Sequence, residues 1–388
     1  MIIQMVDLSR QLKPIKKEIE ASIKSVLEES NFINGAPVKE FEKNLSEWVG
    51  AKHVISCANG TDALQLALMA LELKPGDEVI VPTFTYVATA EVIALLGLSP
   101  ILVDVDAQTF NIDIEAASHL ITSRTKAIVP VHLFGQCANM EQIMKFAKSH
   151  NLYVIEDTAQ AIGAGVKFSD GSSRKAGTIG HMGTTSFFPS KNLGCFGDGG
   201  ALFTNDDNLA AKLKMIANHG QRIKYFHDVV GVNSRLDTIQ AAILDVKLKH
   251  LNSYCEARQR AAAYYDSALK HVEQITIPFR SSFSTHVFHQ YTLKIDEKYS
   301  RDELKSYLAE QGIPSMIYYP LPLHEQKAYS EFIRKDLDYP NSTSLCNLVL
   351  SLPMHTHLKI EEQELIVQHI KSFFSKCHTE TISRTKQP

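Results

Sequence analysis

The hexapeptide LYVIED, residues 152–157, is an apolar run that ends in two carboxylates. A short run with almost no polar interruption predicts a strand that is buried on both faces of a sheet. Similar runs lie on either side of it, separated by stretches with helical periodicity such as residues 140–149. These other predicted strands are VIS (54–56), GDEVIVP (76–82), PILVDVD (100–106), TKAIVPVH (125–132), TTSFFP (184–189) and GALFTN (200–205). The alternation predicts an α/β fold with a mostly parallel central sheet.

Helical patterns flank the predicted sheet on both sides. Apolar residues recur near a 3.6-residue period from residue 15 to 26, and VKEFEKNLSEWVG is a second helical stretch that Gly50 closes. After about residue 222, a long helical stretch leads to a strand, HQYTLKID, and to the helix SRDELKSYLAEQG, with Ser300 as its N-cap. We predict a large domain over residues 1–250 and a small C-terminal α+β domain over 251–388, with a polar tail from about residue 378.

Composition excludes several classes of protein. The chain has 388 residues and a net charge of -3, and it contains no basic run, which argues against a nucleic-acid partner. The first residues do not resemble a signal peptide, and no apolar run approaches the roughly 20 residues that span a bilayer. Six scattered cysteines form neither a disulfide framework nor a zinc pattern, so we expect reduced thiols in a cytoplasmic protein and no metal site. The histidines of MHTH, residues 354–357, are expected to lie in a loop.

Asp157 and Lys191 are the first candidates for chemistry. Asp157 ends a predicted strand, and ligands bind at the carboxyl ends of strands in parallel sheets. Its carboxylate either caps a following helix in TAQAIGA or holds a proton on the ring nitrogen of a cofactor. Lys191 lies between the strand SFF and the glycine-rich turn GCFGDGG, where it either faces solvent or forms a covalent bond with an aldehyde cofactor. Glu156 should point away from Asp157, because strand side chains alternate.

Other polar and aromatic residues follow predicted strands. Asn59-Gly60-Thr61 and the hydroxyl of Ser186 are suited to a phosphate, although the former is also an ordinary strand-to-helix turn. Tyr86 either stacks on a flat cofactor ring or belongs to the core, and His132 is either a polar anchor or a satisfied core residue. The sequence lacks the phosphate-binding loop of ATP enzymes and the glycine fingerprint of NAD enzymes.

Taken together, five motifs in this order resemble the DegT/DnrJ/EryC1/StrS family. They are NGTDAL (59–64), PTFTYVATA (82–90), VIEDTAQAIGA (154–164), SFFPSKNLGCFGDGGA (186–201) and GVNSRLDTIQAAIL (231–244). The resemblance extends from about residue 6 to residue 355. It implies the fold type I architecture of aspartate aminotransferase and an enzyme that uses pyridoxal 5'-phosphate (PLP) to transfer an amino group to a nucleotide-linked sugar.

The resemblance also implies roles for individual residues. Lys191 matches the lysine that binds PLP covalently, Asp157 the aspartate on the pyridine nitrogen, and Gln160 a glutamine near the phenolic oxygen. Asn233 matches an asparagine that reaches the phosphate of the neighbouring subunit, which implies a homodimer with shared active sites. The remaining matches are Gly60, Thr61 and Ser186 at the phosphate, Tyr86 on the ring, and Arg235, Tyr318, Tyr319 and His324 on the substrate side.

The closest subfamily resemblance is to aminotransferases of UDP-linked 3-keto 2-acetamido sugars in bacterial lipopolysaccharide and O-antigen synthesis, with L-glutamate as donor and 2-oxoglutarate as product. The uronic-acid enzyme has His-Tyr-Pro where this chain has Tyr318-Tyr319-Pro320, so a neutral sugar competes with the uronic acid. The alternatives are a dTDP-linked 3-keto-6-deoxyhexose or a 4-keto sugar, and a non-catalytic regulatory relative. A PLP-dependent dehydratase is disfavoured because those relatives carry histidine in place of the lysine.

Overall fold

The computed structural model describes residues 2–334 and 336–384, with side chains described through residue 376. The α-helices are α1 Leu8–Leu12, α2 Lys16–Glu29, α3 Ala36–Val49, α4 Gly60–Ala70, α5 Ala88–Leu95, α6 Ile114–Ser118, α7 Met140–Ser149, α8 Asp207–Ile216, α9 Thr238–Leu248, α10 Leu251–Leu269, α11 Arg301–Glu310, α12 Pro340–Leu348 and α13 Ile360–Arg384. The strands are β1 His53–Cys57, β2 Glu78–Pro82, β3 Ser99–Val103, β4 Thr125–Ile128, β5 Tyr153–Asp157, β6 Gly165–Lys167, β7 Ser173–Lys175, β8 Met182–Ser186, β9 Gly200–Thr204, β10 Gln221–Ile223, β11 Phe226–His227, β12 Ile275–Thr276, β13 Tyr291–Ile295 and β14 Val349–Leu352.

A seven-stranded sheet in the order β1-β9-β8-β5-β4-β2-β3 forms the centre of the molecule. In this part of the described chain, six strands run in the same direction and β9 runs against them. All seven predicted strands are present, so the prediction of a mostly parallel α/β sheet is confirmed. The carboxyl ends of β1, β8, β5 and β2 lie at one edge of the sheet, which is where parallel sheets place their ligands.

Helices cover both faces of this sheet, because its strands carry apolar side chains in both directions. On β5, Val154 packs into the core on one face and Ile155 into the core on the other. On β2, Ile80 packs into the first of these cores and its neighbour Val81 into the second. Continuous apolar runs are therefore what a doubly covered sheet requires.

A second, smaller sheet consists of β12, β13 and β14, all antiparallel to their neighbours. Its core is a cluster of buried apolar side chains from the range 261–374, and Ile3 from the start of the chain packs into the same cluster. The division of the chain at residue 250 stays a prediction.

Caps agree with the sequence in two helices. The side chain of Ser300 accepts a hydrogen bond from the amide of Glu303, and Gly50 ends α3 in the left-handed conformation with φ 79°. The long helical stretch after residue 234 is two helices, because the chain turns at Lys249 and His250 between α9 and α10.

The C-terminal helix α13 continues through the first part of the predicted polar tail, and residues 385–388 lie outside the described residues. No helix in the described ranges is long and apolar enough to cross a membrane.

Candidate active site

Asp157 ends β5, and both of its carboxylate oxygens are held. Oδ2 accepts a hydrogen bond from the hydroxyl of Thr89 at 3.0 Å, and Oδ1 accepts one from the amide of Ala159 at 3.0 Å. No helix follows, since residues 159–163 form a turn, so the interpretation of Asp157 as a helix cap is wrong. The carboxylate is buried and fixed in direction at the sheet edge.

Glu156 points the opposite way, as strand alternation predicts. Its carboxylate accepts hydrogen bonds from the amides of Gly177, Ile179 and Gly180 at 2.7–2.9 Å, and it lies 3.0 Å from Nε2 of His132. His132 Nδ1 accepts a hydrogen bond from the amide of Ala138 at 3.1 Å, so Nε2 carries the proton and donates it. His132 is therefore a satisfied core residue that anchors the strand bearing Asp157.

Lys191 lies in the turn after β8, where its amide donates to the carbonyl of Phe188 at 2.9 Å. Its side chain is half-buried and not fully solvent-facing. Burial lowers the pKa of the Lys191 amine to about 8, although the negative charge of Asp157 acts to raise it. A larger fraction of the amine is thus neutral near pH 7 than for an exposed lysine, which favours attack on an aldehyde.

The start of α4 packs directly against the end of β8. A Cβ atom added to Gly60 would lie 2.6 Å from Cβ of Ser186, so only glycine fits there without a shift. Asn59 caps α4 by accepting from the amide of Asp62 at 2.8 Å, and the first helical amides, of Gly60 and Thr61, have no acceptor within the helix. The amides of Gly60 and Thr61 therefore begin a helix beside Ser186, where an anion binds favourably.

Gln160 connects the turn after β5 to the segment that carries Tyr319. Its Oε1 accepts from the amide of Phe134 at 2.9 Å, and its Nε2 donates to the hydroxyl of Tyr319 at 3.1 Å. Burial raises the pKa of Tyr319, so its hydroxyl stays protonated and can donate in turn. Tyr318, its neighbour, is half-buried and packs against the phenylalanine cluster of Phe84, Phe110 and Phe134.

Tyr86 follows β2 and is 58% exposed, so the interpretation of Tyr86 as a core residue is wrong. The centroid of its ring lies 6.4 Å from that of Tyr319, at a tilt of 42°. An exposed aromatic ring beside Tyr319 is free to stack on a flat group.

His324 contacts the protein on several sides. Its Nδ1 lies 2.9 Å from the hydroxyl of Thr83, and its ring stacks on Tyr339 with centroids 4.1 Å apart. Burial lowers its pKa, so it is neutral near pH 7. His324 thus ties the segment after Tyr319 to the end of β2, and its contact with substrate stays a prediction.

Asn233 and Arg235 precede α9 at the edge of this site. Between them, the hydroxyl of Ser234 accepts from the amide of Ala58 at 3.1 Å, which places the segment beside the loop that leads into α4. Asn233 is exposed and Arg235 half-buried in the single chain. Their roles also stay predictions.

The sequence did not single out Thr89, on α5, although its hydroxyl fixes Asp157. The only sequence signal is a hydroxyl residue in the first turn of the helix that follows β2. Among the described residues, no group of three or more His, Cys, Asp or Glu side chains is arranged to hold a metal ion. The residues present instead fit PLP: an amine for the aldehyde, a carboxylate for the ring nitrogen and an amide-lined cradle for the phosphate.

This fold with this site defines the class of PLP-dependent aminotransferases with a doubly covered, mostly parallel sheet. Within that class, the chain belongs to the DegT/DnrJ/EryC1/StrS aminotransferase family, whose model matches residues 13–371.

Three relatives are similar over almost their whole length. A Geobacillus stearothermophilus protein described as a pleiotropic regulatory protein is 46% identical, covering 96% of this chain and 99% of the relative. A UDP-2-acetamido-2-deoxy-3-oxo-D-glucuronate aminotransferase of Pseudomonas aeruginosa is 46% identical over 94% and 98%. A UDP-N-acetyl-3-dehydro-alpha-D-glucosamine 3-aminotransferase of Acidithiobacillus ferrooxidans is 44% identical over 93% and 95%.

Solved structures agree with this assignment. A Brucella abortus aminotransferase of the same family has a TM-score of 0.90 and 43% identity, covering 96% of this chain and 99% of that one. A Bacillus subtilis protein with bound cofactor PMP, the amine form of PLP, has a TM-score of 0.88 and 31% identity, covering 96% and 85%.

Proposed function

We propose that this PLP-dependent aminotransferase transfers the amino group of L-glutamate to C3 of a UDP-linked 2-acetamido-3-keto sugar, as a step in bacterial surface polysaccharide synthesis. The observation that carries the proposal is the convergence of Lys191, Asp157 and the Gly60–Ser186 cradle at one sheet edge. Two of the most similar relatives act on UDP-linked 3-keto sugars, one a uronic acid and the other neutral.

Each residue has one task in this proposal. Gly60, Thr61 and Ser186 bind the phosphate, Tyr86 covers the ring, and Gln160 lies near the phenolic oxygen. Asp157, held by Thr89, keeps a proton on the ring nitrogen. When bound, PLP supplies the electron sink that stabilises negative charge on the carbon that loses its proton.

Lys191 is the proposed proton carrier. Its amine, partly neutral near pH 8, removes a proton from the amino donor as general base and returns a proton as general acid. In the half-reaction with the sugar the same amine works in the reverse order, so ping-pong kinetics follow. Arg235, Tyr318, Tyr319 and His324 form the proposed sugar side.

The site is proposed to be complete only in a homodimer, with Asn233 reaching the phosphate in the partner subunit. In support, residues 221–230 expose Ile223, Tyr225, Phe226 and Val230, with 61–87% of each side chain accessible in the single chain. Such contiguous apolar exposure is typical of protein interfaces. A cytoplasmic location is also part of the proposal, since the five cysteines that the structure describes are free thiols.

The test is a pair of half-reactions. The PLP-loaded protein mixed with L-glutamate should release 2-oxoglutarate and change its visible absorption. The aminated protein should then convert UDP-2-acetamido-3-keto-glucose, its uronic acid, or both, to the 3-amino sugar, read by mass spectrometry. Lys191→Ala should abolish both half-reactions, while Lys39→Ala, at an exposed position on α3, should leave them unchanged.

The same assay separates the alternatives. Preferential conversion of a dTDP-linked 3-keto or 4-keto sugar would replace the UDP assignment. Binding of PLP without any release of 2-oxoglutarate from any amino donor would favour a regulatory protein.

A further inference from the structure

Three buried polar atoms behind the Lys191 turn have no hydrogen-bond partner among the described residues. They are Oδ1 of Asn192, Nε of Arg258 and Nδ1 of His289. An unpaired polar atom in the interior costs free energy, so a hydrogen-bond partner at each of these three atoms would stabilise the fold. Asn192 follows Lys191 directly, so the cluster adjoins the catalytic turn.

Hydrogen bonds bring the side chains of Asn192 and Arg258 to the stretch of chain that carries His289, residues 287–289. Asn192 Nδ2 donates to the carbonyl of Val287 at 3.3 Å. Arg258 Nη1 donates to the carbonyls of Phe288 at 3.0 Å and His289 at 3.3 Å. The turn of Gly135 closes the same stretch from the other side, since a Cβ there would lie 3.0 Å from the amide of His289.

The hydrogen-bonding capacities of the three atoms complement a single water molecule. Arg258 Nε–H can only donate, Asn192 Oδ1 can only accept, and a neutral histidine nitrogen accepts when its other nitrogen carries the proton. A water that accepts from Arg258 and donates to Asn192 and His289 satisfies all three, and buried waters in proteins usually make about three such bonds.

We propose that one buried water joins Asn192, Arg258 and His289, and that it fixes His289 as an uncharged positioning residue beside Lys191. The proposal rests on the assignment of Lys191 as the PLP-binding lysine. His289 is 6% exposed, and burial together with the charges of Lys191 and Arg258 holds its pKa well below the usual range. An uncharged ring there excludes solvent from Lys191 and leaves a proton on Nε2.

Loss of the His289 ring should raise the pKa of Lys191. Burial lowers the pKa of Lys191 to about 8, because the charged ammonium form is less stable where solvent is excluded. Removing the His289 ring opens the space to water, so the amine should return toward its ordinary, higher pKa. The neutral, reactive amine then forms at higher pH.

The measurement is the rate at which cofactor-free protein captures PLP, followed by absorbance across pH 6 to 10. The wild type should show a midpoint near pH 8. For His289→Ala we expect the midpoint to rise by about one unit, which slows capture about tenfold below the midpoint. His289→Gln keeps a neutral, polar side chain, so its midpoint should lie closer to the wild-type value than to that of His289→Ala.

Two further variants, at His286 and Asn192, accompany His289→Ala in this measurement. His286→Ala removes another buried imidazole, which stacks on Phe288 at 3.8 Å and accepts from its amide, and it should leave the midpoint unchanged. If His289→Ala does not fold, Asn192→Ala removes one partner of the water, opens the same space to solvent and should shift the midpoint in the same direction.

A high-resolution crystal structure of the PLP-bound protein provides the second measurement. We expect one ordered water at about 2.7–3.2 Å from all three atoms. Absence of that water, or an unchanged midpoint in both variants, overturns the inference while the proposed function stands. No capture of PLP by the wild type would instead refute the proposed function.

Discussion

At the scale of single residues, Glu156 and Asp157 show how a strand gives two adjacent carboxylates different tasks. Their side chains point to opposite faces because the strand repeats every two residues. Glu156 faces inward, where three amides and His132 surround it, whereas Asp157 faces the site with one hydroxyl and one amide. Glu156 thus stabilises the fold, whereas the carboxylate of Asp157 faces the site where we propose that it contacts the cofactor.

Glu156→Gln should destabilise the protein strongly. The amide group of glutamine presents hydrogen atoms to a pocket built entirely of donors, so at least one buried N–H loses its acceptor. We expect a loss of about 2–4 kcal/mol in the free energy of unfolding, measured with chemical denaturant. Glu20→Gln removes an exposed carboxylate on α2 and should change stability by less than about 0.5 kcal/mol. A loss below about 1 kcal/mol for Glu156→Gln would contradict the anchoring role.

At the scale of elements, the junction between β1 and α4 is where glycine is required for packing. The helix begins at Gly60 in contact with Ser186 at the end of β8, so the first turn of α4 and the strand end form one surface. This arrangement presents the helix N-terminus, with its partial positive charge, at the sheet edge.

Gly60→Ala tests that junction. The added Cβ would meet Ser186 at 2.6 Å and separate the two elements that we propose to bind the phosphate. The dissociation constant for PLP should rise about tenfold, which corresponds to roughly 1.4 kcal/mol, measured by fluorescence titration of the cofactor-free protein. Gly165→Ala is the matched control, since its Cβ would have only an ordinary contact at 3.4 Å with the carbonyl of Arg174. Equal PLP affinity in both variants would argue against a phosphate site at α4.

Sequence patterns predicted elements well where the signal is local. Ser300 and Gly50 mark helix ends because the capping interactions form within a few residues. The division between α9 and α10 was missed because neither Gly nor Pro marks it. There the chain turns so that both helices can pack, with Leu248 in the core of the large sheet and Ala261 in that of the small one.

At the scale of the whole molecule, the exposed apolar side chains of residues 221–230 and the exposed Asn233 suggest a site shared between two chains. Mixing two defective proteins tests this. In a heterodimer of Lys191→Ala and Asn233→Ala subunits, one site receives both defects and the other receives none if Asn233 acts across the interface.

Random pairing of equal amounts should restore about a quarter of wild-type activity, because half of the dimers are mixed and each has one intact site. Activity is read by 2-oxoglutarate release after co-refolding of the two proteins. Each protein refolded alone is the control. If Asn233 serves its own subunit, every site carries one defect and mixing restores nothing.

By itself, the sequence determined the alternation of strands and helices, the placement of Asp157 and Lys191 at strand ends, and the family. These features depend on periodicity and short motifs, which are local in the chain. Only the tertiary structure decided that Thr89 holds Asp157, that Gln160 joins Phe134 to Tyr319, and that Asn192 and Arg258 both donate to carbonyls of residues 287–289. Such contacts join residues far apart in sequence, so they follow from the simultaneous packing of all elements and leave no pattern along the chain.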